Sequence, residues 1–180
     1  EVRRGKVTVL VGENGAGKST LMKILAGVER PTAGELVLDG EPVELKSTTD
    51  ALSKGIAIIH QELNLCPNLN IRDNIFVGRE IKTRAGTIDY KAEDLVTRSL
   101  MLRLEERLDP DTMVETLRLG QQQVVEIARA LEAEARILIM DEPTSALSAA
   151  EVEVLFKVIR ELTAAGVAIV YISHHLEEVF

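Results

Sequence analysis

The chain has 180 residues, 46% hydrophobic and 28% charged, which suits one soluble domain with a sizeable core. A formal net charge of −8 argues against a general binder of nucleic-acid backbones, and 3% aromatics without Trp argues against a base-stacking platform. The single cysteine, Cys66, cannot close an internal disulfide, no apolar run approaches 18 residues, and the expectation is of a chain without an export signal before the first motif.

Val7-Thr8-Val9-Leu10-Val11 is short, apolar and β-branched, and predicts a buried strand. Directly after it, Gly12-Glu13-Asn14-Gly15-Ala16-Gly17-Lys18-Ser19 spells G-x-x-x-x-G-K-[ST]. Ser19 to Ala26 then carries Leu21, Ile24 and Leu25 at helical spacing. Strand, glycine turn and helix start are the context in which this pattern becomes a phosphate site. Glycines let successive N–H groups turn inward, and the helix dipole adds positive character there. Lys18 supplies a mobile charge for the β- and γ-phosphates, and the Ser19 hydroxyl a ligand for Mg²⁺. The pattern predicts a nucleoside triphosphate site, the positive field being made locally in an acidic chain.

Further on, Glu35 to Leu38, Asp39-Gly40 and Pro42 to Leu45 predict a hairpin, because Asp-Gly tolerates the positive φ angles of a tight turn. Ile56-Ala57-Ile58-Ile59 predicts a buried strand that ends at His60-Gln61. From about residue 71 to 133 strand signals vanish, and Lys91 to Leu104 and Gln121 to Leu131 show helical periodicity. Strands return at Ile137 to Met140 and Val167 to Ile172. Between them lies a helix with Val152, Leu155, Ile159 and Leu162 on one face and a capping box at Ser148 and Glu151. The expected fold is α/β: a mostly parallel sheet with an antiparallel β edge, a core over about 1–70 and 134–180, and a helical insertion over about 71–133. In such sheets ligands bind at the carboxyl ends of the strands.

Asp141-Glu142 follows the apolar run Ile137 to Met140. Two carboxylates at a strand end, in the same sheet as the phosphate turn, have a direct chemical use. Asp141 can hold Mg²⁺ through its shell, and Glu142 can orient and deprotonate the water that attacks the γ-phosphate.

Taken together, Gly12 to Ser19, Gln61, Gly120-Gln121, Ile137 to Leu147 and Ser173-His174 occur in an order that resembles the ATPase domain of ABC transporters. Narrower wording, His60 to Leu65, Asn74 to Glu80 and Gly120 to Ala128, is similar to the first nucleotide-binding domain of tandem ATPases that drive bacterial monosaccharide importers, of the ribose, galactose, xylose and arabinose type. The resemblance implies ATP and Mg²⁺ as cofactors, with Gly12, Glu13, Asn14, Gly15, Ala16, Gly17, Lys18, Ser19 and Thr20 on the nucleotide. It implies that Gln61 reaches Mg²⁺ and the attacking water, and that His174 contacts the γ-phosphate. Leu117, Arg118, Leu119, Gly120 and Gln121 match the signature motif, which meets the nucleotide of the opposite domain in a closed dimer. Ser145, Ala146, Leu147 and Ser148 match the D-loop at that dimer interface.

Implied partners are a second ABC domain (in the same full-length chain or as a homodimer), membrane permease subunits near residues 62–80 and, indirectly, a periplasmic sugar-binding protein; no nucleic acid. The implied location is the cytoplasmic side of the bacterial inner membrane, peripheral through the permease. The signature motif usually carries Ser where this chain has Arg118. The chain also begins near the phosphate turn, without the preceding strands and the adenine-stacking aromatic, and stops at Phe180, so it is expected to be a fragment of a longer protein. The rival expectations are a non-transport ABC ATPase, as in DNA repair or translation factors, and a regulatory domain that binds ATP with weak hydrolysis.

Overall fold

In the computed structural model, which describes residues 1–12, 15–60, 63–145 and 147–173, the apolar runs become strands. These are β1 (Val7–Val11), β2 (Leu36–Leu38), β3 (Glu41–Val43), β4 (Ile56–Ile59), β5 (Ile137–Asp141) and β6 (Ala168–Ser173). The helices are α1 (Lys18–Leu25), α2 (Thr48–Ser53), α3 (Ile71–Phe76), α4 (Tyr90–Arg103), α5 (Leu119–Glu132) and α6 (Ala149–Ala164), with one 3₁₀ turn at Val114–Thr116.

Strands β1, β6, β5 and β4 lie side by side in that order, all parallel. The register places Val11 opposite Ser173, Asp141 opposite Ile172 and Ile59 opposite Met140, so the four strands end along one line. Every residue of β6 is buried, as expected for a strand covered on both faces. Side chains alternate between two cores. Leu138, Met140, Ile169 and Tyr171 join Ile127 of α5 and Leu155, Val158 and Leu162 of α6. Ile139, Val170 and Ile172 face the other way, onto Met22 of α1, Ala51 of α2 and Leu45 in the segment between β3 and α2. Each fully buried Leu or Ile is worth roughly 1.5–3 kcal/mol, so both layers are needed to hold the strand ends in line.

The hairpin forms as expected and stands as its own two-stranded sheet. Asp39 and Gly40 have φ of 51° and 88°, the two positive angles its turn demands. Other details differ from the sequence reading. In α1 the fully buried residue is Met22, while Leu21 stays 38% exposed. In α6 Val158 is buried and Val152, at the first turn, only partly. The helices α2 and α3 were not expected; each has six residues, too few to show a period, although Ser47 and Asn70 cap them from the side chain.

Between residues 70 and 133 the described residues hold only two isolated strand bridges, Asn70 with Met113 and Lys82 with Ile88. The loop entering α3 is organised by Asn74, which is fully buried. Its Oδ1 accepts the Cys66 N–H at 2.7 Å, and its Nδ2 donates to the carbonyls of Cys66, Leu69 and Asn70 at 3.0, 3.2 and 2.9 Å. One side chain thus ties four backbone groups of this loop together, in addition to the backbone N–H groups of Leu69, Val114 and Asn74 that donate to the same three carbonyls.

Candidate active site

The line of strand ends collects the residues singled out by sequence. After β1 the chain turns through Gly15 and Gly17, with φ of 84° and 88°, and Gly17 is the left-handed residue that opens α1 without a side-chain cap. Those angles are cheap for glycine alone, and the first-turn N–H groups of a helix have no intrahelical acceptor. The Lys18 ammonium folds back and donates to the Gly12 carbonyl. Ser19 and Thr20 are exposed beside it. Glu13 and Asn14 lie outside the described residues, as do Gln61, Ala146 and His174. Gln61 follows His60, which directly follows β4, and His174 follows Ser173, the last residue of β6.

Two strands away from β1, Asp141 ends β5 and Glu142 leaves it in a left-handed conformation, φ 46°. For a non-glycine residue that conformation is uncommon and costs about 1–2 kcal/mol. The Glu142 N–H donates to the Ile172 carbonyl at 2.9 Å, and the Glu142 carbonyl accepts from the Ser145 N–H at 3.2 Å. Burial first, and the Glu142 charge second, hold the Asp141 carboxyl above its ordinary range; His60 and Lys18 pull it down by a smaller amount. Lys18 is therefore close enough to Asp141 for charge to be felt across the sheet edge. The excess of negative charge at this edge fits a divalent cation. Among the described residues there is no group of three His, Cys, Asp or Glu side chains that could hold a metal. Mg²⁺ is usually bound by one or two carboxylates together with substrate phosphates and water, and Asp141 supplies one carboxylate at this edge.

A second group lies at the start of α5. Leu117 is buried, and Arg118 is the N-cap residue, its N–H donating to Gln121 Oε1 at 3.2 Å while its own side chain provides no cap bond to the helix. Leu119 is 38% exposed. The Gly120 N–H donates to Glu151 Oε1 at 3.2 Å, and Gln123, buried, donates to the Pro143 carbonyl at 2.8 Å. Thr144 and Leu147 close a tight turn, the Leu147 N–H donating to the Thr144 carbonyl at 3.0 Å, and Ser148 then caps α6.

Sequence reasoning missed a third group, on the face of α5 toward β4. Glu126 is 8% exposed among Val124, Val125, Ile127 and Ala128. Its Oε1 accepts the Asn64 N–H at 2.8 Å, and Arg129 Nη1 donates to the Asn64 carbonyl at 3.0 Å. With His60, Thr48, Thr49 and Arg79 they line an open cleft of about 380 Å³. Burial dominates in raising the Glu126 carboxyl above its usual range, against Arg129, the Asn64 N–H and His60. A carboxylate at an apolar position of a helix was the signal in the sequence.

A phosphate turn before α1, paired carboxylates at the end of β5 and a parallel sheet between them define a P-loop nucleotide-binding domain. The chain belongs to the ABC transporter family, which matches residues 1–145. It is 56% identical over 177 residues to a ribose import ATP-binding protein, RbsA, of Rhodopirellula baltica, covering 98% of this chain and 35% of that protein. It is 53% identical over 180 residues to ribose import ATP-binding protein RbsA 1 of Streptomyces coelicolor, covering 100% of this chain and 36% of that one. The chain thus spans about a third of the length of these relatives. Among solved structures, cbiO1 of Clostridium perfringens, part of the cbiONQ ABC transporter complex, superposes with a TM-score of 0.83 at 26% identity, over 99% of this chain and 71% of that one. An ATP-binding cassette of an ABC transporter in its ADP conformation matches in fold with the same score of 0.83 at 24% identity, over 99% and 74%.

Proposed function

We propose that this chain binds and hydrolyses ATP and so energises a bacterial importer of monosaccharides. The observation that carries the reading is the shared sheet edge, where β1, which leads into Lys18, and β5, which ends at Asp141, finish on one line. In this reading the turn from Gly12 to Ser19, with Thr20, wraps the phosphates, and Lys18 leaves the Gly12 carbonyl for the β- and γ-phosphate oxygens. Ser19, Asp141 and Gln61 hold Mg²⁺, which when bound neutralises charge building on the phosphates. Glu142 orients the attacking water and takes its proton, helped by Gln61. His174 contacts the γ-phosphate.

The remaining groups serve partners. Residues Leu117 to Gln121 meet the nucleotide of a second ABC domain, in the same full-length chain or in a homodimer, and Ser145 to Ser148 cross that interface. Residues about 71–133 act as a helical subdomain on a core of about 1–70 and 134–180. The cleft lined by Asn64, Glu126 and Arg129 receives a permease segment, near residues 62–80. No described helix is long and apolar enough to cross a membrane. In this reading the domain is held at the cytoplasmic face of the inner membrane through the permease. Sugar specificity would reside in a periplasmic binding protein. The import reading is supported by relatives named for ribose import at 53–56% identity.

The test is ATP turnover by the full-length protein reconstituted with its permease, with and without monosaccharide-loaded binding protein. Turnover should rise with the loaded binding protein, and Glu142→Gln should bind ATP normally while losing about 10²–10⁴-fold in rate. Turnover matching the parent in Glu142→Gln would remove Glu142 as the base. Indifference to ribose, galactose, xylose and arabinose alike would remove the sugar-import reading.

A further inference from the structure

The carboxylate of Glu151 touches two segments at once. Its local task is readable from spacing: with Ser148 it forms the capping box that opens α6, Oε2 accepting from the Ser148 N–H at 2.9 Å and from the Ser148 hydroxyl at 2.8 Å. Its other oxygen, Oε1, accepts the Gly120 N–H at 3.2 Å, across 31 residues of sequence. A capping box needs no second acceptor, so this contact is additional to capping. The fit is close: a Cβ on Gly120 would lie 2.8 Å from Glu151 Cγ and 2.9 Å from Oε1. Hydrogen bonds from Ser148 first, then Gly120, with attraction from Arg118, keep the carboxyl below its ordinary range and therefore charged. Gln123, one turn along α5, adds the buried bond to the Pro143 carbonyl. The helix that starts at the signature residues is therefore pinned twice to the chain that leaves Glu142.

We propose that Glu151 is a positioning residue that joins the first turn of α5, Arg118 to Gln121, to the start of α6, so that the signature turn and the D-loop meet the partner domain as one piece. The inference rests on the roles given to those two segments above. Nucleotide held by Lys18 in the same chain is not touched by Glu151, so its loss acts on geometry at the opposite site.

Two variants of the full-length protein separate this role from capping. Glu151→Ala and Ser148→Ala both remove the cap of α6, but only the first releases the Gly120 N–H. In Glu151→Ala the amides of Gly120 to Gln122 should exchange with solvent at least about fivefold faster, and ATP turnover should fall about tenfold, as small misplacements of positioned groups do. Nucleotide affinity at Lys18 should be unchanged. Ser148→Ala should leave exchange in that turn close to the parent and lose less turnover. Glu151→Gln, whose amide oxygen can still accept from Gly120, should recover most of the protection. Equal exchange and equal turnover in Glu151→Ala and Ser148→Ala would reduce Glu151 to a cap and overturn the proposal, as would parent-like exchange in Glu151→Ala. A parent protein without ATP turnover would refute the functional reading while the exchange comparison still decides the contact.

Discussion

Lys18→Ala removes the ammonium that the glycine turn presents at the sheet edge, and its cost can be worked from what that ammonium does without nucleotide. It donates to the Gly12 carbonyl and exerts an attraction on Asp141. A hydrogen bond to a charged group contributes about 1.5–3 kcal/mol net. Reaching a β- and a γ-phosphate oxygen would make two such contacts, about 3–6 kcal/mol in all. Leaving Gly12 forfeits one of similar kind, so the net contribution to binding is about that of one contact, about 1.5–3 kcal/mol. At 1.4 kcal/mol per decade, Lys18→Ala should weaken ATP binding about 10- to 150-fold. The fold should survive the change. Alanine is the better helix former at the first position of α1, and a cation in the first turn opposes the helix dipole. These gains offset only part of the lost Gly12 bond, so the unfolding midpoint should fall by a few °C with the transition still cooperative. Calorimetric titration of the full-length protein with MgATP measures the affinity, and a thermal melt of the same sample controls for folding. An affinity within threefold of the parent would refute both the arithmetic and the assignment of Lys18.

Arg118→Ser should raise ATP turnover of the full-length protein while affinity at Lys18 stays unchanged, because a small hydroxyl crowds the opposite γ-phosphate less than a guanidinium. It should also add about 1 kcal/mol of stability, since Ser at the N-cap can accept from the Gln121 N–H where Arg118 offers no cap bond; a fall in turnover would show the arginine to be an adapted part of the site. Glu126→Gln tests the buried carboxylate beside Asn64. Its folded-state pKa is raised, so the folded chain holds a proton that the unfolded chain has released, and the parent loses stability as pH rises from the unfolded value through the folded one. Glutamine keeps an acceptor for the Asn64 N–H without the charge, so denaturant titrations should find the variant more stable at pH 7 and equal below about pH 4; a parent more stable at pH 7, by a margin growing with pH, would overturn this.

The strands that hold the site were readable because each is a short apolar run bounded by turn residues, and because Asp39-Gly40 and the glycines before Lys18 need angles that other residues pay for. Asp141-Glu142 stood out by following such a run. The left-handed backbone of Glu142 was not readable, since it depends on the bond from its N–H to Ile172 in a neighbouring strand. The small helices α2 and α3 were missed because six residues give less than two turns of periodicity. Glu126 was passed over because its partner Asn64 is 62 residues away. Glu151 shows the same limit in one side chain: the bond to Ser148 is written in local spacing, and the bond to Gly120 exists only in three dimensions.

The amide of Asn74 gives the loop from Cys66 to Asn70 an internal skeleton of four bonds. A stretch of chain without a ladder ordinarily behaves as a spring, absorbing displacement in its own dihedral angles. This one has little compliance to spend. It is clamped to α3 at one end by Asn74, while Asn64, just before it, is gripped by Glu126 and Arg129 of α5. Mechanically it is a short strut between two helices, and α5, about 21 Å long at 1.5 Å per residue, runs on from there to Arg118. A load applied at the strut would bear directly on the helix that begins at Arg118.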